Sequence, residues 1–278
     1  MSEQNLRDAL TERFGSPVDL PDNLAENETL AQMAARGSCR WFRPDPVPTD
    51  LLRALCAVAL AAPSKSDLQQ RDIILLQDPA QLAAIKSLLI GQDWIANAPA
   101  LLVFCANNAR QRHMHDWRGR EFVNDHLDAF FNASLDAGIA LSSFIHAAEA
   151  AGLGCCPIST IRNRSAEVSA HLNLPDHVFA VAALAVGYPE FPKPRISMRL
   201  PFDTTVHMDR YSDPNLQSQI ETYDAARHAH RPMTAQRQPD RFGTASPYTW
   251  SDDKTRQYAA PERTDFGAFI KNKGFNLT

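Results

Sequence analysis

The stretch Ala61-Ala-Pro-Ser-Lys-Ser-Asp-Leu-Gln-Gln-Arg71 lies between an apolar run with helical spacing and a strand-like run, Asp72-Ile-Ile-Leu-Leu-Gln77. Pro63 ends the helix before it, because proline disfavours helical backbone in the preceding residue. What remains is a short loop of hydroxyls, one ammonium and amides between two rigid elements, a composition suited to gripping a polar, acceptor-rich ligand. Upstream, Arg36-Gly-Ser-Cys-Arg-Trp-Phe42 is a second irregular segment carrying guanidinium and hydroxyl groups.

Outward from this stretch the pattern alternates between helix and strand. Leu51, Leu52, Leu55, Val58 and Ala59 form an i, i+3, i+4, i+7 stripe, with Thr49 or Asp50 as its cap. Ile73–Gln77, Ala100–Ala106, Cys155–Thr160 and Val178–Tyr188 read as strands. The second and fourth are continuously apolar, as expected of strands covered on both faces. Asp78-Pro79 caps a helix through Leu89. A long segment from about Glu121 to Ala151 is apolar nearly all round, which predicts a core helix buried on every side, of the kind often shared with another subunit. Gly152-Leu-Gly154 ends it through left-handed backbone. Residues 1–35 read as helical, with Leu6, Leu10 and Phe14 spaced by four. Asn215–His230 and Thr264–Lys273 are helical as well, and 231–262 is a polar excursion over the surface. Strands separated by helices predict an α+β sandwich around one sheet. No G-x-G-x-x-G and no P-loop signature follows any strand, which disfavours a dinucleotide-binding Rossmann unit.

At 278 residues, 44 % hydrophobic and 22 % charged, the chain has an ordinary globular composition. A net charge of −4 gives no basic field for nucleic acid or an anionic membrane. No apolar run reaches the roughly 20 residues of a spanning helix, and the polar N-terminus lacks a signal-peptide core, so a cytoplasmic location is expected. Cys39, Cys56, Cys105, Cys155 and Cys156 form neither a metal spacing nor a disulfide framework, and Cys155-Cys156 reads as strand filler. His113, His115 and His126 lack metal-ligand spacing and read as surface histidines.

Basic and hydroxylic residues concentrate in three loops: Arg36/Ser38/Arg40, Ser64/Lys65/Ser66/Gln69 and Arg195/Arg199. Guanidinium groups beside serine hydroxyls suit a phosphate. Arg231, Arg237 and Arg241 are a further candidate phosphate grip, weighed against ordinary solvated loop charge.

Ser38-Cys-Arg-Trp-Phe42 resembles the R-S-x-R-x-F opening of the nitroreductase superfamily, and Ala62–Gln69 resembles its A-P-S-x-x-x-x-Q loop. Gly152–Asn163 is similar to its G-L-G-x-x-x-I-G-G-L-R-N segment, and Gly187-Tyr-Pro189 with Arg199-Leu-Pro201 to its closing motifs. The matches keep the family's order across 36–201. Tyr223-Asp224, Thr249-Trp-Ser-Asp252 and the long C-terminal tail look more like the NADPH-preferring long branch. The resemblance implies an α+β fold, a nitroreductase-like three-layer sandwich whose central, mostly antiparallel sheet is flanked by helices in an intertwined homodimer. It divides the chain into an N-terminal helical extension (1–35), an FMN-binding core (36–214), and a C-terminal excursion and tail wrapping the dimer (215–278).

The resemblance further implies FMN as cofactor, NADPH or NADH as hydride donor, and a small aromatic electron acceptor. It places Arg36, Ser38, Arg40 and Arg199 at the FMN phosphate and ribityl, and Ser64, Ser66 and Gln69 at the ribityl and the polar edge of the ring. Gln92 would reach the ring or ribityl. Pro157, Ile158, Ser159 and Thr160 would line one ring face. Lys65 or Arg71 is the candidate for stabilising negative charge on the reduced ring, set against a solvent-facing role. No catalytic histidine is implied. The sequence departs from the family pattern in three places. Gly37 replaces a basic residue, Ser159-Thr160 replaces two glycines, and Ser197 replaces a lysine for which Arg195 or Lys193 is the substitute. Two alternatives stay open: a specialised flavin enzyme, such as a reductive dehalogenase or ring reductase, and a flavin-free dimeric binding module.

Overall fold

A computed structural model describes residues 5–191 and 195–278. Its helices are α1 (Leu6–Phe14), α2 (Glu28–Ala35), α3 (Thr49–Leu60), α4 (Pro79–Leu88), α5 (Ala109–Trp117), α6 (Leu127–Ala150), α7 (Ser165–His171), α8 (Phe202–Thr205), α9 (Leu216–His230), α10 (Pro239–Phe242), α11 (Trp250–Tyr258) and α12 (Phe266–Asn272). The strands are β1 (Arg71–Leu76), β2 (Ala100–Asn107), β3 (Gly154–Ile158) and β4 (Val178–Gly187). The described residues form two compact units, one drawn from Ser38–Lys193 and Arg263–Thr278, the other from Met1–Gly37 and Pro194–Glu262.

The four apolar runs are the four strands of one sheet in the first unit, in the order β1-β2-β4-β3 and antiparallel at each pairing. Alternate residues of the central strands point to opposite faces. Leu101, Val103, Ala183 and Ala185 pack with Ile85 of α4 and Val168 of α7. Leu102, Phe104, Leu184 and Val186 pack with Leu52 and Leu55 of α3 and Phe144 and Ala148 of α6. Helices therefore cover both faces, which is why these strands lack polar alternation. Phe179, Ala133, Ile270 and Phe275 make a third cluster that docks α12.

Several local expectations need correction. The third strand run stops at Ile158, and Ser159–Arg164 coils into a tight 3₁₀ segment. The Thr49 hydroxyl donates to Gln77 Oε1 at 2.8 Å instead of capping α3, which starts directly after Pro48. The long helix begins at Leu127, not Glu121, because His126 Nδ1 accepts the Asp128 N–H and sets its start. Gly152 does take left-handed backbone (φ +80°), but Gly154 does not. A Cβ on Gly154 would lie 2.6 Å from Cys39 Cβ, so close approach explains that glycine. α5 had no sequence signal, since its polar stretch carries no apolar stripe.

Within one chain α6 buries one side only. Ala133, Ala137, Ala140, Phe144 and Ala148 face the protein interior, whereas Leu127, Phe131 and Leu135 are 50 %, 58 % and 47 % exposed. None of the five cysteines is in a disulfide, and burial pushes the Cys105 thiol up to about 12. His113 stacks on Trp117 and His115 meets Phe122 edge-on. Among the described residues no cluster of three His, Cys, Asp or Glu could hold a metal, and no helix is long and apolar enough to cross a membrane.

In the second unit, 231–262 is more than a polar excursion. Tyr248 Oη and Arg237 Nε donate to Asp253 Oδ1 at 3.1 and 2.9 Å. Buried Arg256 lies over the Tyr248 and Phe242 rings and donates to Gly243 O. Arg237 and Arg241 are thus engaged structurally, the latter donating to Ala259 O at 3.1 Å. Burial pushes the Asp253 carboxyl up, but Lys254, Arg237 and the Tyr248 hydroxyl outweigh it and hold it below its ordinary value. A depressed carboxyl contributes stability that is complete above the unfolded-state pKa and lost as pH falls through the folded one. The stability that Asp253 contributes is therefore expected to fall away below about pH 4, and Asp253→Asn, which lacks the titrating group, to show a smaller acid-dependent loss of thermal stability.

Candidate functional site

The loop between α3 and β1 is held in an unusual conformation. Ser66, Asp67 and Gln69 have φ of +49°, +56° and +52°, a left-handed region that costs non-glycine residues about 1 kcal/mol or more each. Such strain persists where the surroundings over-determine it, and it concentrates at functional sites. Here the surroundings are polar. Asp136 of α6 is fully buried, and its carboxylate accepts the Lys65 N–H at 2.8 Å and the Gln70 N–H at 3.0 Å, one near each end of the loop. Ser64 Oγ accepts the Gln69 N–H at 3.2 Å. α5 clamps the same loop, with Arg110 Nη1 donating to Gln69 O and Gln111 Nε2 to Leu68 O.

Arg71 lies beneath this loop, 5 % exposed. Its Nη2 donates to Leu60 O and Ala62 O at 2.8 Å each, and Nη1 stands 3.9 Å from Asp136. Its Nε and Nη1 have no hydrogen-bond partner. Lys65 is exposed and folds its Nζ onto Ser66 Oγ at 3.1 Å. The loop borders an open cleft of about 360 Å³ lined by Pro63, Ser64, Asp67, Gln69 and Arg71, among others.

A second group lies elsewhere on the same unit. The Cys39 N–H donates to Cys155 O of β3, and the Arg43 N–H to Tyr188 O just beyond β4. That fixes Arg40, whose guanidinium sits 5.8 Å above the Trp94 ring. Trp94 Nε1 in turn donates to Gln92 Oε1 at 2.8 Å. Pro157 and Ser159 are exposed and Ile158 is buried. Thr160 Oγ1 is buried without a partner. Arg263 reaches back to Asn163 Oδ1 at 2.8 Å and Ser159 Oγ at 3.5 Å.

The register separates these two groups. Asn107, whose N–H binds Gln70 O, pairs with Val178 at the start of β4, whereas Trp41 and Arg43 bind Glu190 and Tyr188 past its end. The ten residues of β4 span roughly 30 Å at strand rise. The Ser64–Gln69 loop and Arg40 therefore occupy opposite ends of the sheet in one chain.

In the other unit, Arg36 and Arg195–Arg199 are brought together. A Cβ on Gly37 would lie 2.5 Å from the Arg195 carbonyl oxygen, so the two backbones touch there, which accounts for the glycine in place of a basic residue. Ile196 and Met198 are buried while Arg195, Ser197 and Arg199 are exposed, an alternation that sets both arginines on one face. Ser197 Oγ accepts Arg199 Nη1 at 2.6 Å, so the serine orients the closing arginine. Lys193 lies outside the described residues.

Sequence reasoning missed Asp136, Arg13, Arg110 and Arg263. Asp136 carried one signal, a lone carboxylate in the apolar half-turns of a core helix.

The chain matches two family models: the nitroreductase family over residues 33–188 and the nitroreductase family, C-terminal domain, over 197–278. It is 33 % identical to an FMN reductase [NAD(P)H] of Bacillus subtilis over 203 residues, covering 71 % of this chain and 80 % of that one. It is 27 % identical to the NADPH-flavin oxidoreductase of Vibrio harveyi, covering 89 % and 98 %. Among solved structures it superposes on Bacillus megaterium NfrA2 with a TM-score of 0.81 at 30 % identity, covering 91 % of this chain and 99 % of that one. The NADPH:FMN oxidoreductase from Vibrio harveyi complexed with NAD+ gives 0.77 at 26 % identity, covering 89 % and 98 %.

Proposed function

The chain belongs to the nitroreductase family, and on that premise we propose that it is an FMN-dependent oxidoreductase. It takes reducing equivalents from NADPH or NADH and delivers them to a nitroaromatic, a quinone or free flavin in two successive half-reactions. The observation that carries this reading is the strained Ser64–Gln69 loop, whose hydroxyl and amide groups are held at a cost of several kcal/mol by a buried carboxylate.

The donor set fits FMN. Arginines and serines suit a phosphate dianion, hydroxyls and amides suit the ribityl chain, and the orphaned Thr160 Oγ1 is a buried polar atom awaiting a partner. When bound, FMN supplies two-electron transfer between donor and acceptor. Arg36, Ser38, Arg40, Arg195 and Arg199 would hold the phosphate side. Ser64, Ser66, Gln69 and Gln92 would hold the ribityl and the polar ring edge, with Pro157–Thr160 along one ring face. Lys65 would set a positive charge against the electron-rich ring edge, while Arg71 supports the loop from below.

Because the two groups of donors in the sheet unit lie roughly 30 Å apart along the strands, one protomer does not assemble the whole site. In this reading the loop of one protomer meets Arg40, Gln92 and Pro157–Thr160 of a second copy. The exposed Phe131 and Leu135 on α6 give such a homodimer an apolar face to bury. The purified protein is expected to be yellow, to sediment as a dimer, and to bleach when NADPH or NADH is added without oxygen. A monomer that takes up no added FMN contradicts the proposal.

A further inference from the structure

We propose that Arg13, in the N-terminal helical segment preceding the first family match, is a positioning residue that braces the phosphate-binding arginines. The inference rests on the FMN reading above. Arg13 is 6 % exposed, and its guanidinium gathers three backbone carbonyls from two segments far apart in sequence. Nε and Nη2 donate to Ala34 O at 3.3 and 2.8 Å, Nη2 also to Arg36 O, and Nη1 to Ser197 O at 2.8 Å. Its own carbonyl accepts the Arg199 N–H at 2.7 Å. One side chain thus ties the Arg36 segment to the Ser197–Arg199 segment, and its backbone fixes the residue that ends the second.

The surroundings leave this brace little play. Gly15 closes α1 at φ +74°, and a Cβ there would lie 2.8 Å from Met198 Cε. From the other side, Tyr223 Oη donates to Met198 O at 3.2 Å. Gly37 sits backbone-to-backbone on Arg195. Arg36, Arg195 and Arg199 thereby sit on touching segments, and guanidinium groups offer a phosphate dianion charge-assisted hydrogen bonds. A planar fork with several fixed donors can span three carbonyls at once, whereas a lysine ammonium acts as a single point.

The experiment compares FMN with riboflavin, which lacks the phosphate. Dissociation constants of both are measured by flavin fluorescence for the wild type, Arg13→Met and Arg13→Lys, each checked by circular dichroism for folding. The expected result is at least tenfold weaker FMN binding by Arg13→Met, with riboflavin affinity within twofold of wild type. Arg13→Lys, which keeps the charge and so the better chance of folding, should lose part of the FMN preference. A general structural defect would weaken both ligands together, and that outcome overturns the proposal. So does an unchanged FMN-to-riboflavin ratio in whichever variant folds. Wild-type protein that binds neither flavin would instead overturn the FMN reading itself.

Discussion

Asp136→Ala is expected to lose at least tenfold in FMN affinity and to destabilise the fold by about 3–5 kcal/mol, the usual cost of removing one partner from a buried charged pair. Two separate consequences combine. Arg71 is left as a buried cation whose nearest carboxylate is gone, while Nε and Nη1 already lack hydrogen bonds. The loop also loses both charge-assisted N–H contacts that hold it in shape. Without them the three left-handed residues can relax, each releasing about 1–2 kcal/mol, and the binding-competent loop becomes a minor state whose affinity falls by its population. Asp136→Asn keeps one acceptor but turns an amide N–H toward the other donor, so its loss should be intermediate. Chemical denaturation alongside FMN titration checks both parts. Full FMN affinity in Asp136→Ala would show that the loop does not bind the cofactor.

Gly37→Arg is the second large effect, and the family motif and the local packing predict opposite signs for it. It restores the basic residue usual at this place in the family motif, so motif logic predicts tighter phosphate binding. The structure predicts the reverse. Any side chain places a Cβ 2.5 Å from Arg195 O and 3.0 Å from its N and C, all backbone atoms that cannot rotate away. The two arginine segments must part, at about 1–3 kcal/mol for overpacking. FMN affinity should fall about tenfold for Gly37→Arg, and Gly37→Ala, which adds the same Cβ with no charge, should lose as much. Tighter FMN binding by Gly37→Arg would mean that Arg36 and Arg195 do not share the phosphate.

The fold was legible in the sequence where burial was two-sided. Leu101–Ala106 and Val178–Val186 are covered by helices on both faces, and their unbroken apolar runs mark them as central strands. Of the candidate site, the residue types were legible, because hydroxyls and guanidiniums at element ends have a chemistry of their own. Their support was not. The left-handed turns at Ser66, Asp67 and Gln69 carry no glycine to announce them, since they are imposed by Asp136, some 70 residues later in the chain. α5 stayed hidden because its polar residues clamp the loop instead of lining a core. Gly37 reads as a missing charge in the sequence, because nothing local marks the Arg195 backbone that lies against it.

The most direct measurement mixes two differently disabled protomers. Arg40→Ala damages the group at one end of the sheet, and replacing Ser64 and Ser66 with bulky leucines damages the loop at the other. Each variant alone should form a colourless dimer, because both of its sites carry the defect. Co-expressed and purified as a heterodimer, the pair has one site with both defects and one with neither. The expected result is about one FMN per heterodimer and return of NADPH-driven bleaching. A heterodimer as empty as its parents would place Arg40 and the Ser64–Gln69 loop in one protomer's site, or in none, and contradict the shared cofactor site.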